Sequence, residues 1–426
     1  MTTTTEISEA KTSLTSMAGP NQKYWDLGLK SQQEGASATQ TMQVLYNAWM
    51  PPFNLNLLAA IVGALYGDTY WARTKMDRSL MAYNLQAALG MNPPDCQKAA
   101  NYAFSNWYGL QVRSNFSDGG AIPRGGNVTN SPDVVLNGQI SLSTAQLLNL
   151  WNVYNWDPAP GKKNYAYGRA QSLNIQVPIS SPVLRMYYSD QGFNPPPSSW
   201  IKLFTFGGSS ETAPLQGLNP GPIPVGGRAA NGGDQNAFAL DVPGAGHYCA
   251  ISVAGSEFFT NNPSDAGNNW DSYEWITNNG AAGWHNFDAT SAKEETLKFY
   301  NQDPTAEHFI FEAHASKVPV GTVISLGFAD QALATSSPTQ SAKISSPYQV
   351  ITNEVQVPAN YTGKLVLHID GKPLPATASI ECRLLWLMPT THKNYLQAVS
   401  HLGATRTLQQ QEPVRVQLGN FTFTGK

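Results

Sequence analysis

The chain has 426 residues, 13% of them charged, with 26 Lys+Arg against 29 Asp+Glu and a formal net charge of -3. A soluble domain usually carries roughly 25% charged residues. The near-neutral balance argues against electrostatic binding to nucleic acid or an anionic membrane, leaving a membrane partner possible but not favoured, and the 36 Gly and 29 Pro exclude a coiled coil. Apolar residues at 41%, many aromatic, can build a large core, so the chain reads as globular, β-leaning and divided into two or three domains.

Residues 1–38 read as a flexible polar arm. Its start, Met1-Thr-Thr-Thr-Thr-Glu6, lacks the basic and apolar regions of a secretory signal, so the expected location is the cytoplasm or release by a non-classical route. Residues 39–160 read as a mainly helical domain. A helix around Thr39–Trp49 is parted by Pro51-Pro52 from the apolar segment Phe53–Tyr66. The 33 residues from Gly35 to Gly67 hold no charge, yet the apolar centre Leu57–Tyr66 is only ten residues long. A bilayer span needs about 20, so a buried helix is expected. Asp68 can cap a further helix that ends at Gly90, and Asn92-Pro93-Pro94-Asp95 opens the next. In that helix Ala99, Ala103 and Trp107 form a buried stripe. Residues 115–135 read as loop. The capping-box spacing Ser143-Thr-Ala-Gln146 starts a helix toward Tyr154, which Asp157-Pro-Ala-Pro-Gly161 stops.

From Tyr165 the apolar period changes from 3.6 to 2. Short runs such as Val183–Tyr188, Trp200–Phe206, Tyr248–Val253, His308–His314 and Thr322–Phe328 alternate in strand fashion. Gln349–Val357, Lys364–Ile369, Ile380–Trp386 and Val414–Leu418 continue the pattern. Asp370-Gly371-Lys372 suggests a hairpin turn. Val414, Val416 and Leu418 share one face, then Phe421 and Phe423 take over out of phase, as at a bulge. The fold class is therefore α+β: an N-terminal helical region followed by an antiparallel β-sandwich, immunoglobulin-like or jelly-roll-like. Residues 161–335 make the sandwich. Residues 336–426 make a second β region or complete the first, with a division near 329–347.

Within this region the order is Gly246-His-Tyr-Cys-Ala-Ile-Ser-Val253, Asn262-Pro263, Trp270-Asp-Ser-Tyr-Glu-Trp275, Gly283-Trp284-His-Asn-Phe287, Glu307–Glu312 and Val318-Pro-Val-Gly-Thr-Val323. Over roughly 180–330 this resembles the immunoglobulin-like β-sandwich modules of bacterial secreted and surface proteins. The resemblance implies a sandwich fold and a non-catalytic spacer or adhesion role for that stretch, and says nothing of residues 39–160.

Signatures of catalysis are missing: no GxSxG, no HExxH, no GxxxxGK[ST] and no GxGxxG opening a helix after a strand. Cys96, Cys249 and Cys382 are too few and too far apart for a disulfide framework or a zinc site, and read as buried thiols. All seven histidines lie at or after His247. His308, Glu312 and His314 would share one strand face and form a weak metal candidate, against the plainer reading of a wet sheet face. The most unusual segment is 261–288, where seven Asn are interleaved with aromatics and carboxylates. A loop packed by its own aromatics comes first. Next comes a binding surface of Trp270, Asp271, Glu274, Trp275 and Trp284, suited to sugar stacking or protein contact. Catalysis by its carboxylates is the remaining reading.

No sequence feature calls for a cofactor. The leading functional expectation is a non-enzymatic structural or interaction protein, self-assembling or surface-docking, whose partner is itself or another protein. Two alternatives stand beside it: a membrane-active toxin or effector inserting 53–66, and a carbohydrate-binding or carbohydrate-cleaving protein working through 261–288.

Overall fold

A computed structural model describes residues 22–424 apart from 71–77, 126–127, 156–158, 160, 175–177, 191, 194, 209, 242–246, 264–274, 289–293, 302, 376, 396–397 and 400–412. Helices occupy residues 22–103, and antiparallel sheets follow, which is the α+β order anticipated from the change of period.

The arm anticipated over 1–38 lies outside the described residues as far as 21. Beyond that the structure differs: Gln22–Gln33 is a helix, α1, which buries Tyr24, Trp25, Gly28 and Ser31. Its surrounding Gln and Lys residues hide that one-sided stripe from a composition reading. Helix α2 (Ala38–Ala48) starts on a capping box between Ser37 and Gln40. Helix α3 (Leu55–Leu65) is capped by Asn54 and buries every residue from Leu57 to Leu65. A single turn, α4 (Gly67–Tyr70), leads to α5 (Arg78–Leu89), which Gly90 ends at φ 61°, the left-handed conformation that glycine adopts without strain. Helix α6 (Pro93–Ala103) opens after Asn92, with proline in its first turn as anticipated. Helices α1, α2, α5 and α6 surround α3. A Cβ on Gly28 would stand 3.0 Å from Leu65 Cδ1, so glycine sets how closely α1 approaches α3. A buried chain of Ser31, Thr41 and Tyr66 hydroxyls, ending on the Ala36 carbonyl, ties α1, α2 and α3 together.

All described strand pairs are antiparallel. The first sheet orders β1 (Leu110–Gln111), β3 (Lys163–Ser172), β9 (Phe238–Asp241) and β6 (Phe204–Thr205), with β2 (Val134–Leu136) and β8 (Arg228–Ala230) also on β3. Helix α7 (Thr144–Asn149), with the anticipated Ser143–Gln146 capping box, packs beside it. The second sheet orders β11 (Ala282–Asp288), β10 (His247–Gly255), β4 (Val183–Asp190) and β5 (Ile201–Lys202), with β7 (Ala213–Pro214) on β4.

The other two sheets face each other across one core. One orders β12 (Glu294–Asn301), β17 (Tyr361–Asp370), β14 (Val323–Phe328) and β15 (Gln340–Lys343). The other orders β16 (Tyr348–Val357), β13 (Glu307–Ser316), β18 (Ser379–Met388) and β19 (Val414–Thr424). Phe299 and Phe311 meet between them, ring centroids 4.8 Å apart. Strand β14 pairs with β15 across the short helix α8 (Gln331–Ser336), so the division anticipated near 329–347 falls inside one sandwich. For the same reason 180–330 does not close on itself: β13 takes both of its partners, β16 and β18, from beyond residue 336. Asp370-Gly371-Lys372 is not a hairpin turn either. Strand β17 pairs with β12 and β14 while β18 pairs with β13 and β19, so that turn crosses between the sheets. The bulge near Gly419 is present: Leu384 faces Gly419 and Leu385 faces Gln417, and Leu418 has no place in the register.

Strand β10 is apolar on both faces. Tyr248, Ala250 and Ala254 join the core beneath the helices, whereas Cys249, Ile251 and Val253 join the sandwich core. The loop before β2 is pinned by buried charge. Arg113 grips Asp133 through Nε and Nη2 at 2.9 and 2.6 Å, and Arg169 approaches the same carboxylate at 3.4 Å. Arg169 also donates to the Leu147 and Leu150 carbonyls, satisfying the C-terminal end of α7. Arg124 stands 3.5 Å from Asp118 and donates to the Val112 and Ala282 carbonyls. Burial alone would raise the Asp118 pKa, but Arg124 and the backbone N–H groups of Ser114 and Gly120 hold it below the ordinary range.

Candidate functional site

The aromatics of 261–288 divide. Trp270, Asp271 and Glu274 lie outside the described residues. Trp275 and Trp284 are each 1% exposed and pack on Trp200, with ring centroids at 6.0 and 5.4 Å. Trp284 donates its indole N–H to Asn286, whose amide in turn donates to the Asn420 carbonyl on β19. Neither ring can therefore serve as a surface for stacking a ligand. Their reason for being apolar and large is the seam between the second sheet and the sandwich. Cys249, at the same seam, is fully buried and donates its thiol proton to Asn286, and Cys96 and Cys382 are buried as well.

His308, Glu312 and His314 share the outward face of β13 but do not converge. Six residue steps along the strand put the two histidines about 20 Å apart. His308 faces Glu354 at 3.6 Å, while His314 Nε2 meets Glu312 at 2.7 Å and its Nδ1 meets the Tyr348 hydroxyl at 2.6 Å. Glu312 is held below the ordinary carboxylate range, chiefly by the His314 hydrogen bond, with Arg415 and Arg383 nearby. Hydroxyl, imidazole and carboxylate thus stand in the order of nucleophile, base and orienting acid. His314 and Glu312 are largely covered, however, and the backbone N–H groups of β13 around them are engaged in ladders with β16 and β18. Oxyanion donors of the kind acyl transfer needs are not offered there.

A second cluster escaped the sequence reading because its members are 89 residues apart. Asp303, Glu307 and His392 bring one potential ligand atom each to within 4.8 Å of one another, the one group among the described residues that could hold a metal. Its hydrogen bonds argue for another role. His392 Nδ1 accepts the Asn394 N–H at 3.1 Å, which leaves the ring proton on Nε2, pointing at Asp303 3.2 Å away. A metal would need the Nε2 lone pair and a donor at Nδ1, the reverse arrangement. The Thr305 hydroxyl donates to Glu307 at 2.6 Å and lies 3.1 Å from Asp303, and the Trp386 indole donates to Glu307. The group latches the segment after β18 to the end of the sandwich.

The helical region presents a different surface. Where α2 turns into α3, Val44, Tyr46 and Met50 are exposed at 37%, 37% and 66%, and Pro51 and Pro52 are exposed beside half-buried Trp49 and Phe53. Trp49 stacks on Tyr24 at 3.8 Å and 3°, Phe53 stands edge-on to Trp49 at 5.6 Å, and Tyr46 edge-on to Phe53 at 4.9 Å. Lys23 Nζ lies over the Tyr24 ring at 4.7 Å. The Met50 N–H donates to the Tyr24 hydroxyl, and the Asn54 cap fixes the start of α3, so the turn is held from both sides. The sequence signal was the charge-free run 35–67. What the reading missed is that only α3 is buried, while the turn before it faces solvent.

No family model matches the chain, and no curated protein matches it in sequence. Among solved structures, it aligns with the mosquito-larvicidal Cry4Aa toxin from Bacillus thuringiensis at 10% identity, covering 86% of each chain with a TM-score of 0.19. It also aligns with CfaE, the adhesive subunit of the CFA/I fimbria of enterotoxigenic Escherichia coli, at 9% identity, over 75% of this chain and 92% of that one, with a TM-score of 0.13. With scores this low, neither likeness carries an argument.

Proposed function

We propose that this chain is a non-enzymatic interaction protein, self-assembling or docking on another surface, and that the α2–α3 tip is the part that makes contact. One observation carries the reading: a charge-free turn holds Tyr46, Met50, Pro51 and Pro52 in solvent while the helix behind it is buried from Leu57 to Leu65. Apolar and aromatic side chains gathered at one exposed place mark interaction surfaces, whereas scattered ones need no explanation. The absence of catalytic signatures in the sequence and the engagement of the β13 N–H groups beside the Tyr348–His314–Glu312 chain support the non-enzymatic part. The test is sedimentation velocity over a wide concentration range, together with capture on candidate surfaces, for the native chain and Met50→Asp. The reading expects association that Met50→Asp weakens. Behaviour identical in both proteins on every surface would overturn it.

A further inference from the structure

Resting on that reading of the tip, we propose that it docks on a lipid bilayer, entering the interfacial layer shallowly and without spanning it. The chemistry of the turn suits that layer. Tyr46 and Trp49 each join an apolar ring to a polar atom, the combination that settles at the boundary between headgroups and chains, and Tyr24, buried beneath Trp49, supports them from behind. Met50, Pro51 and Pro52 project beyond them with no charge to desolvate, since none occurs from Gly35 to Gly67. Lys23 stands at the rim on the Tyr24 ring, placed to meet a headgroup phosphate, while the neighbouring Asp26 is engaged by Gln22.

Length limits the depth. Helix α3 has 11 residues, about 16 Å of rise against a hydrocarbon core of about 30 Å. Its companion α2 carries Gln40, Gln43 and Asn47, which favour water over hydrocarbon. Among the described residues no helix is long and apolar enough to cross a membrane. The turn alone therefore enters, by about 5–10 Å. Because Tyr24 and Asn54 already fix the turn, little ordering accompanies binding.

The test is co-sedimentation of the full chain with phosphatidylcholine vesicles, with and without phosphatidylserine. The native chain should bind both. Met50→Asp should lower partitioning at least about tenfold, and Lys23→Gln about fivefold on the phosphatidylserine vesicles alone. Circular dichroism of each variant checks that the fold is kept. An entrapped dye should stay inside, and its leakage would overturn the shallow placement. Absence of vesicle binding, or binding that Met50→Asp leaves unchanged, would overturn the lipid partner. If Met50→Asp then still alters sedimentation of the protein alone, the docking reading survives without lipid. If it alters neither, both fall.

Discussion

The α2–α3 hairpin and the outward face of the β16-β13-β18-β19 sheet meet solvent in opposite ways. On the sheet, charge sits beside charge: Glu312 faces Arg383 across neighbouring strands, and Arg415 stands 3.6 Å from Glu312. On the hairpin no charge exists at all, and apolar rings take the exposed positions. The low overall charge is thus the sum of two unlike surfaces. One is complete in itself because its ions find partners within the sheet. The other is left apolar, and only contact with something else removes it from water.

Perturbations can separate the two regions. The largest effect belongs to the buried ionic cluster beside the first sheet, outside both regions: Asp133→Ala leaves Arg113 and Arg169 buried without their shared carboxylate and should cost about 3–5 kcal/mol in urea unfolding. Next, Ile61→Ala in α3 and Leu367→Ala in β17 should each cost about 2–5 kcal/mol, since both side chains are fully buried. A loss below about 1 kcal/mol for Ile61→Ala alone would mean that the hairpin is held more loosely than the sandwich. Acid should come third. Burial of His285 on β11 pushes its pKa well below the ordinary value of 6.5, a shift only partly opposed by a backbone hydrogen bond at Ser131. Above that value both folded and unfolded chains hold the ring neutral. Below it the unfolded chain takes up a proton that the folded one refuses, so stability falls as pH drops from about 6.5. The midpoint of thermal unfolding should follow, and His285→Gln should flatten that part of the slope. Glu312→Gln on the sheet takes a largely buried carboxylate from His314 and should cost about 1–3 kcal/mol. Met50→Asp should stay within about 0.5 kcal/mol, because its side chain already faces water.

Local signals were legible where a single residue does a local job. Gly90 ends α5, Pro93 opens α6, the Ser143–Gln146 box starts α7, and the phase slip at Gly419 is a bulge. Strand pairing was not legible, because alternation tells which face is buried and not which strand lies alongside; hence the misplaced hairpin at Gly371. Strand β12 was missed because Glu295 and Asn301 occupy buried positions beside Leu297 and Phe299, which breaks the apolar alternation. Among the candidate site residues, Trp275 and Trp284 looked like a surface because Asn surrounds them. Three of those amides are engaged inside the fold: Asn279 with Asn261, and Asn286 with Trp284. The Asp303–Glu307–His392 latch needs tertiary structure to be seen at all, as does the exposure of a turn inside an uncharged run.

Strand β10 has a practical consequence for anyone wishing to shorten the protein. It is a wall common to two rooms: its even-numbered residues close the core under the helices, and its odd-numbered ones close the core of the sandwich. A fragment that keeps the helices and β10 would present Cys249, Ile251 and Val253 bare, and one that begins after β10 would lack the surface on which Trp275 and Trp284 rest. Neither half is a natural expression unit, and a protease that nicks a loop between them should release nothing until the whole structure gives way.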